Sequence, residues 1–384
     1  MYSSMAAIRP QAAARILVAD DQPDVLEALR WLLSGEGYEL EFVTSTDAVV
    51  ERLRERPFDL LLMDLNYSRD TTSGREGLEL IPQVRGHDAS MPIVVMTGWG
   101  SIDTAVEAMR LGARSFVQKP WEDVALLEIV QREIDEAQAT RRRDAKQQRE
   151  FEEARMIQRG LLPTAMPQTS GVQLASSWRP ANGVGGDCFD ALTFPGGAVG
   201  ITIADVAGKG VPAALLMSNL QAAVRAFAQE GVAPSTVTAS VNRLLCRNMV
   251  AGRFVTFCYA RLDVASGRLV YANAGHNPPL LVHADGRIDM LAPGGTVLGV
   301  FAESAYEQGD FRIGPGDRLV LYTDGITEGR NAAGDEFGED RLAASAVEHR
   351  GLAADEMLGA MLADVEAFNA GAYEDDATLI VAAL

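Results

Sequence analysis

Phe58–Leu65 reads FDLLLMDL, an apolar run broken near its end by Asp64. A run of this length and content reads as a strand entering a core, with a carboxylate at its exit. The chain alternates on either side of it. Upstream, RILVAD (15–20) is a short apolar strand, and DVLEALRWLLSGEG (24–37) is an amphipathic helix ending in glycine. Downstream, EGLELIPQVRG (76–86) is a helix, MPIVVMT (91–97) a strand, SIDTAVEAMRLGA (101–113) a helix closed by Gly112, and RSFVQKP (114–120) a strand, with a helix after Trp121. Five strands alternating with helices predict an α/β doubly wound parallel sheet over residues 15–137, preceded by a disordered segment, 1–14.

The 384 residues suffice for two or three domains. With 47% hydrophobic and 23% charged residues, each domain can bury a core and stay soluble. The formal net charge of −19 argues against a nucleic-acid partner. It leaves room for carboxylates that hold cations. Cys188, Cys246 and Cys258 form no CxxC pair and no Cys/His cluster, so reduced thiols in a cytoplasmic protein are expected. Residues 1–14 lack the apolar core of a signal peptide. No run of about eighteen apolar residues is present, so neither a membrane span nor a membrane partner is expected.

Between Trp121 and Gly160 nothing breaks a helix. Leu127, Val130, Ile134 and Ala137 fit a heptad seam, which Arg141, Asp144 and Gln148 then make polar before Phe151 returns. Residues 138–163 are read as a helical linker, either a solvated connector or a homodimer seam. From Thr164 strand runs dominate: GVQLASSW, FDALTF, GAVGITIADV, FVTFCYARLD, RLVYANA, PPLLVH, RLVLYTDG and ATLIVAAL. Paired helices interrupt them as blocks, at 209–250 and again at 339–369. This order predicts an α+β layered β-sandwich over 164–384.

Two constellations carry chemistry. In the first, Asp20, Asp21, Asp64, Thr97 and Lys119 all fall at strand ends. In a doubly wound sheet those ends share one crevice. Three crowded carboxylates raise each other's pKa and call for a counter-charge, which a hard cation such as Mg2+ and the lysine provide. An aspartate so placed can attack a phosphoryl group. The pattern resembles the receiver domain of two-component response regulators. The resemblance implies that Asp64 is the phospho-acceptor and that a sensor histidine kinase is the phosphodonor. It further implies that Asp20, Asp21, Asp64 and the Asn66 carbonyl bind Mg2+, that Thr97 and Lys119 contact the phosphoryl group, and that Phe116 is the aromatic switch. Phe116 also reads as a core phenylalanine. The loop after Asp64, NYSRDTTSGREG (66–77), is longer than usual for the family and lacks its typical proline.

In the second constellation, Asp187 (GVGGDCFD), Asp205 (ITIADVAGKG), Asp324 (LVLYTDGITEG) and Asp375–Asp376 (YEDDATLIV) stand beside glycines or strand ends. Singly, each reads as a turn residue. Together they read as a carboxylate cage for two Mg2+ or Mn2+ ions that would activate a water toward phosphorus. The motifs ARMIQRGLLP, DVAGKGVPAAL, NAGHNPPLL, LYTDGITEG, FGEDRL and DDAT resemble the metal-dependent PPM-type serine/threonine phosphatases of the bacterial SpoIIE/RsbU branch. The resemblance implies that Asp205 bridges the metals, that the Val206 carbonyl, Asp187, Asp324 and Asp375 complete the site, and that Asp376 ranks below Asp375. Asp205, Asp324 and Asp375 are the expected catalytic set. Asp190 is read as an outer-shell or turn carboxylate, His276 as ordering a turn, and Lys209 as part of the turn before the next helix.

The combined expectation is a response regulator whose phosphorylation at Asp64 controls, through the linker helix, a phosphatase acting on a phosphorylated regulatory protein. By resemblance that substrate is an anti-sigma-factor antagonist of the STAS type. The alternative is a catalytically weak adaptor that sequesters a regulator. A DNA-binding output is disfavoured by the acidic charge and by the lack of a helix-turn-helix pattern after the receiver.

Overall fold

The computed structural model describes residues 13–67, 75–98, 102–181, 183–249, 252–292 and 294–384. Most of the segment expected to be disordered, and positions 68–74 of the loop after Asp64, lie outside the described residues. The chain divides into two compact units, 1–149 and 150–384.

The first unit runs β1 (Arg15–Ala19), α1 (Pro23–Ser34), β2 (Glu39–Val43), α2 (Thr46–Glu55), β3 (Leu60–Asp64), α3 (Arg75–His87), β4 (Ile93–Thr97), α4 (Ile102–Leu111), β5 (Ser115–Gln118) and the first part of α5 (Asp123–Leu161). Its strands are all parallel, in the order β2-β1-β3-β4-β5. Side chains alternate across this sheet. Leu17 and Ala19 pack with Val49 of α2, Leu80 and Val84 of α3 and Ala108 of α4. Ile16 and Val18 pack with Leu29 and Leu33 of α1 and with Leu126 and Val130 of α5. Helices on both faces bury both rows, which is why FDLLLMDL is apolar without alternation. Strand β2 and helix α2 supply the strand and helix to which the sequence reading assigned no residues. ELEFV lies at the sheet edge, where charged residues guard the unpaired side, so its apolar signal is weak.

Helix α5 is continuous over 39 residues. The positions read as a dimer seam are turned inward instead. Val130, Ile134 and Ala137 are buried, and Leu127 packs partly buried against the unit's own core. Arg141 then ties the helix to Asp59 at 3.2 Å and to Asp88 at 3.0 Å. The apolar half of the heptad pattern therefore belongs to the receiver-like core. The boundary between the units falls inside α5.

The second unit has two antiparallel five-stranded sheets, ordered β13-β10-β9-β8-β7 and β12-β11-β14-β15-β6. In chain order the elements are β6 (Gln173–Arg179), β7 (Cys188–Thr193), β8 (Val199–Val206), α6 (Val211–Phe227), α7 (Pro234–Asn248), β9 (Val255–Asp263), β10 (Arg268–Ala274), β11 (Leu280–Val282), β12 (Ile288–Met290), β13 (Gly309–Arg312), β14 (Arg318–Tyr322), α8 (Asp324–Thr327), α9 (Gly338–Glu348), α10 (Ala354–Asn369) and β15 (Ala377–Ala383). Alternation sets the layers. Leu319, Leu321, Ile380 and Ala382 join Ile201 and Ile203 of the other sheet in one core. Their neighbours Val320, Tyr322, Leu379 and Val381 face α9 and α10 through Leu342, Met357 and Met361. Helices α6 and α7 cover the first sheet. The short β12, β13 and α8 carry too few residues for a periodic signal. All three cysteines are free. No helix among the described residues is long and apolar enough to cross a membrane.

Candidate functional sites

In the first unit the strand order reverses beside β1, so the exits of β1, β3, β4 and β5 open onto one crevice. Asp20 is fully buried, Asp64 and Thr97 nearly so. Lys119 bridges two of the acids, with Nζ 2.6 Å from Asp20 Oδ2 and 2.9 Å from Asp64 Oδ2. Asp64 Oδ1 accepts from the Leu65 amide at 2.8 Å, and the Asn66 backbone also bonds to this carboxylate. Burial raises the Asp64 pKa against the opposing pull of Lys119. Asp20, Asp21 and Asp64 each offer an oxygen, all within 4.8 Å of one another. A donor set of oxygens with negative charge left over after one lysine fits Mg2+. Phe116 is 50% exposed, which rules out the core reading for it.

In the second unit the acids arrive from both sheets. Asp187 precedes β7 and Asp205 lies near the end of β8, whereas Asp324 follows β14 and Asp375–Asp376 precede β15. Asp187 is completely buried. Its Oδ2 accepts from Thr323 Oγ1 at 2.8 Å and from Thr378 Oγ1, while its Oδ1 has no partner. Burial, reinforced by the charge of Asp205, pushes its pKa well up. Burial and the charges of Asp324, Asp375 and Asp376 push Asp205 up to about 7. Asp324 is raised by burial and by Asp375.

Asp375 and Asp376 play different parts. Asp376 is buried, and both its oxygens are taken by backbone: Oδ1 by the Ala181 amide at 2.9 Å and Oδ2 by the Gly186 amide at 2.7 Å. A β-carbon at Gly185 would lie 2.2 Å from Asp376 Oδ2, and one at Gly186 would lie 2.7 Å from the Val206 carbonyl. The paired glycines let two acid-bearing segments touch. Asp375 is half-exposed, and its Oδ2 meets Lys209 Nζ at 3.0 Å. Lys209 also donates to the Glu374 carbonyl at 3.1 Å, so its side chain reaches across to the last acidic turn. Lys209, Glu328, Arg330 and Asp375 line a cleft of about 170 Å³.

This arrangement is looser than the cage expected from the sequence. Among the described residues, only the receiver-like trio brings three ligand oxygens within 4.8 Å. Hydroxyls and backbone amides hold Asp187 and Asp376 one at a time, while burial and neighbouring carboxylates raise the pKa values of Asp205 and Asp324.

Two residues prove structural. His276 is buried with its pKa lowered to about 4 by burial, so its ring is neutral. Nε2 donates to the Tyr322 carbonyl at 3.1 Å, which leaves Nδ1 to accept from Thr256 Oγ1 at 2.8 Å. It secures the exit of β14. Asp190 is neither a turn carboxylate nor aimed at the acids. It lies in β7 and takes a two-point ion pair from Arg225 of α6, at 2.6 and 3.2 Å. Sequence reasoning missed Thr323, Thr378 and Gln158. All three lie inside or beside motifs it quoted, YTDG, DDAT and ARMIQRGLLP, without a role assigned.

Comparison with known proteins follows the same division. Residues 16–131 match the response regulator receiver domain, and residues 195–384 match the stage II sporulation protein E (SpoIIE) family. The phosphoserine phosphatase RsbU of Bacillus subtilis is 35% identical over 186 residues, covering 48% of this chain and 55% of RsbU. The response regulator protein FleR of Pseudomonas aeruginosa is 36% identical over 120 residues, 31% of this chain and 24% of FleR. The matches thus span about half of RsbU and a quarter of FleR. Among solved structures, the RsbU and RsbW domains of a Mycobacterium tuberculosis protein align with TM-score 0.51 and 28% identity, over 58% of this chain and 62% of that one. The SiaA-PP2C domain of Pseudomonas aeruginosa aligns with TM-score 0.56 and 21% identity, over 63% of this chain and 97% of that domain, a likeness of fold alone. Fold and sites define the class, a parallel α/β sheet with an acidic crevice joined by a long helix to an antiparallel β-sandwich. The chain is a receiver domain fused to a SpoIIE/RsbU-like PPM phosphatase domain.

Proposed function

We propose that this protein is a response regulator whose output hydrolyses phosphoserine or phosphothreonine on a regulatory protein, an anti-sigma-factor antagonist of the STAS type. The observation that carries the reading is Asp187, completely buried with one oxygen unpartnered and electrostatically coupled to Asp205. An unpaired buried carboxylate is costly, and a divalent cation is its natural partner.

Asp187, Asp205, the Val206 carbonyl, Asp324 and Asp375 would hold two Mg2+ or Mn2+ ions, with Asp376 behind them. Bound there, such ions would lower the pKa of water and neutralise phosphoryl oxygens. The chain's own groups do the rest. Thr323 and Thr378 fix Asp187, Asp376 clamps the turn before it, and Lys209 steadies Asp375 at the cleft. Asp205, whose pKa is raised to about 7, would give up its proton to hold a cation. In the receiver, Asp64 takes the phosphoryl group from a sensor histidine kinase, with Asp20, Asp21 and the Asn66 carbonyl holding Mg2+. Thr97 and Lys119 contact the phosphoryl oxygens, and Phe116 turns inward as Thr97 moves. Helix α5 transmits the change. Any self-association through α5 would use its exposed stretch beyond Ala137. The domain limits in this reading are 15–137, 138–163 and 164–384, and the free thiols suit a cytoplasmic setting.

One observation favours the adaptor alternative: among the described residues, no three acids of the second unit approach as closely as the receiver's. Hydrolysis of an aryl phosphate and of a phosphoserine protein, with and without Mn2+, decides between them. We expect Mn2+-dependent turnover that Asp205→Asn lowers by roughly two orders of magnitude or more. Turnover that needs no metal, or that survives this substitution, excludes the proposal.

A further inference from the structure

We infer that Gln158 of α5 is a positioning residue for the acid cluster, fixing the Gly185–Gly186 turn that delivers Asp187. The inference rests on the hydrolytic reading above and assigns it a point of control.

Gln158 inverts the usual pattern of a helix surface. It is 2% exposed, whereas its neighbours Met156 and Ile157 are 67% and 61% exposed. The buried amide spends both its ends on one backbone residue. Nε2 donates to the Gly185 carbonyl at 2.6 Å, and the Gly185 amide donates to Oε1 at 3.0 Å. A helix side chain thus supplies the two hydrogen bonds that a neighbouring strand would provide. The next residue, Gly186, donates to Asp376, and the one after it, Asp187, is held by Thr323 and Thr378. Three consecutive residues are therefore fixed from three places, and the first tie comes from α5. A second tie lies close by. Gln221 of α6 donates through Nε2 to the Leu161 carbonyl at 2.7 Å, and α6 follows the loop after Asp205. The last turns of α5 thus hold both the turn that carries Asp187 and the helix that follows Asp205. Displacing Gln158 would leave a buried N–H and a buried C=O without partners, which a close-packed glycine turn cannot accommodate without moving.

The test uses the full chain with Gln158→Leu and the near-isosteric Gln158→Glu. Three quantities are measured: the melting temperature, the Mn2+ concentration for half-maximal hydrolysis of p-nitrophenyl phosphate, and the Mn2+-induced protection of residues 183–187 from hydrogen exchange. For Gln158→Leu we expect about tenfold more Mn2+ to be needed in both metal readouts, with kcat at saturating Mn2+ within roughly twofold of wild type. Gln158→Glu keeps the acceptor for the Gly185 amide and should fall between. It decides the matter if the leucine variant does not fold. Wild-type Mn2+ dependence in both variants overturns the inference, even if melting temperatures fall, because that is the mark of a merely structural residue. Wild-type protein without Mn2+-dependent turnover defeats the hydrolytic reading instead. The exchange measurement then judges Gln158 alone.

Discussion

The two acid clusters of this chain solve one electrostatic problem in opposite ways. In the receiver, a lysine just after β5 pairs two carboxylates, and three acids close to within 4.8 Å. In the phosphatase domain the acids are secured separately, by threonine hydroxyls, by backbone amides and by one half-exposed lysine, and among the described residues no three of them bring oxygens within 4.8 Å. An internal cation lets carboxylates converge before any metal arrives. Neutral donors hold a carboxylate in place but leave its charge uncompensated. The first site carries its counter-charge within the protein, whereas in the second burial and neighbouring carboxylates raise the pKa values of Asp187, Asp205 and Asp324.

The sharpest break of this comparison is chemical. Asp64→Asn should abolish labelling by a small phosphodonor such as acetyl phosphate while leaving metal-dependent hydrolysis measurable, and Asp205→Asn should do the reverse. Each loss should be on the order of a hundredfold or more, read as phosphoprotein yield and as turnover. The next largest effect concerns the lysine. Lys119→Met leaves Asp20 and Asp64 buried without their cation and should cost about 3–5 kcal/mol in urea unfolding of the receiver transition, with Mg2+ recovering part of it. The comparison also has a pH signature. The folded pKa of Asp205, about 7, lies above its ordinary 3.8, so the native state holds a proton there that the unfolded chain has released. Its contribution is therefore present at low pH and lost as pH rises through about 4 to 7. Metal-free wild type should lose more stability between pH 5 and 7.5 than Asp205→Asn, by a few kcal/mol at most, and saturating Mn2+ should erase the difference. Thermal melting at the two pH values checks this. Thr378→Val removes one hydroxyl from Asp187 and should cost about 1–3 kcal/mol, measured by urea unfolding of the metal-free protein. The smallest effect belongs to Arg141→Ala. Its ion pairs with Asp59 and Asp88 are partly exposed, and losing them should cost about 1 kcal/mol or less.

The receiver site was legible because a parallel sheet sends successive strand exits to one side, so sequence position alone brings Asp20, Asp64, Thr97 and Lys119 together. The sandwich offers no such rule. Its acids come from two sheets whose mutual packing is not encoded in any local period, so the residues could be named while the spacing between them could not. Polar residues that act on backbone, such as Gln158 and Thr378, have no signature of their own. Gln158 sits in a charged helix where burial of a single amide leaves no trace in periodicity. The heptad reading of α5 failed for a related reason: Val130 and Ile134 carry the same spacing whether their partner is another helix or the chain's own sheet. The exposure of Phe116 likewise depends on what packs against β5, which the strand's own residues do not state.

Strand β15 lies between β14 and β6, pairing Ala377–Ala383 with Arg179–Gln173, so the earliest strand of the phosphatase domain finds its neighbour only in the latest one. During synthesis β6 must wait for some two hundred residues to leave the ribosome, and contacts so distant along the chain are slow to form. Asp375 and Asp376 arrive with that final strand. A nascent or prematurely terminated chain therefore lacks the strand that joins β6 to β14 and these two acids together, so on the proposed hydrolytic reading no incomplete copy of the domain would carry a full set of acids.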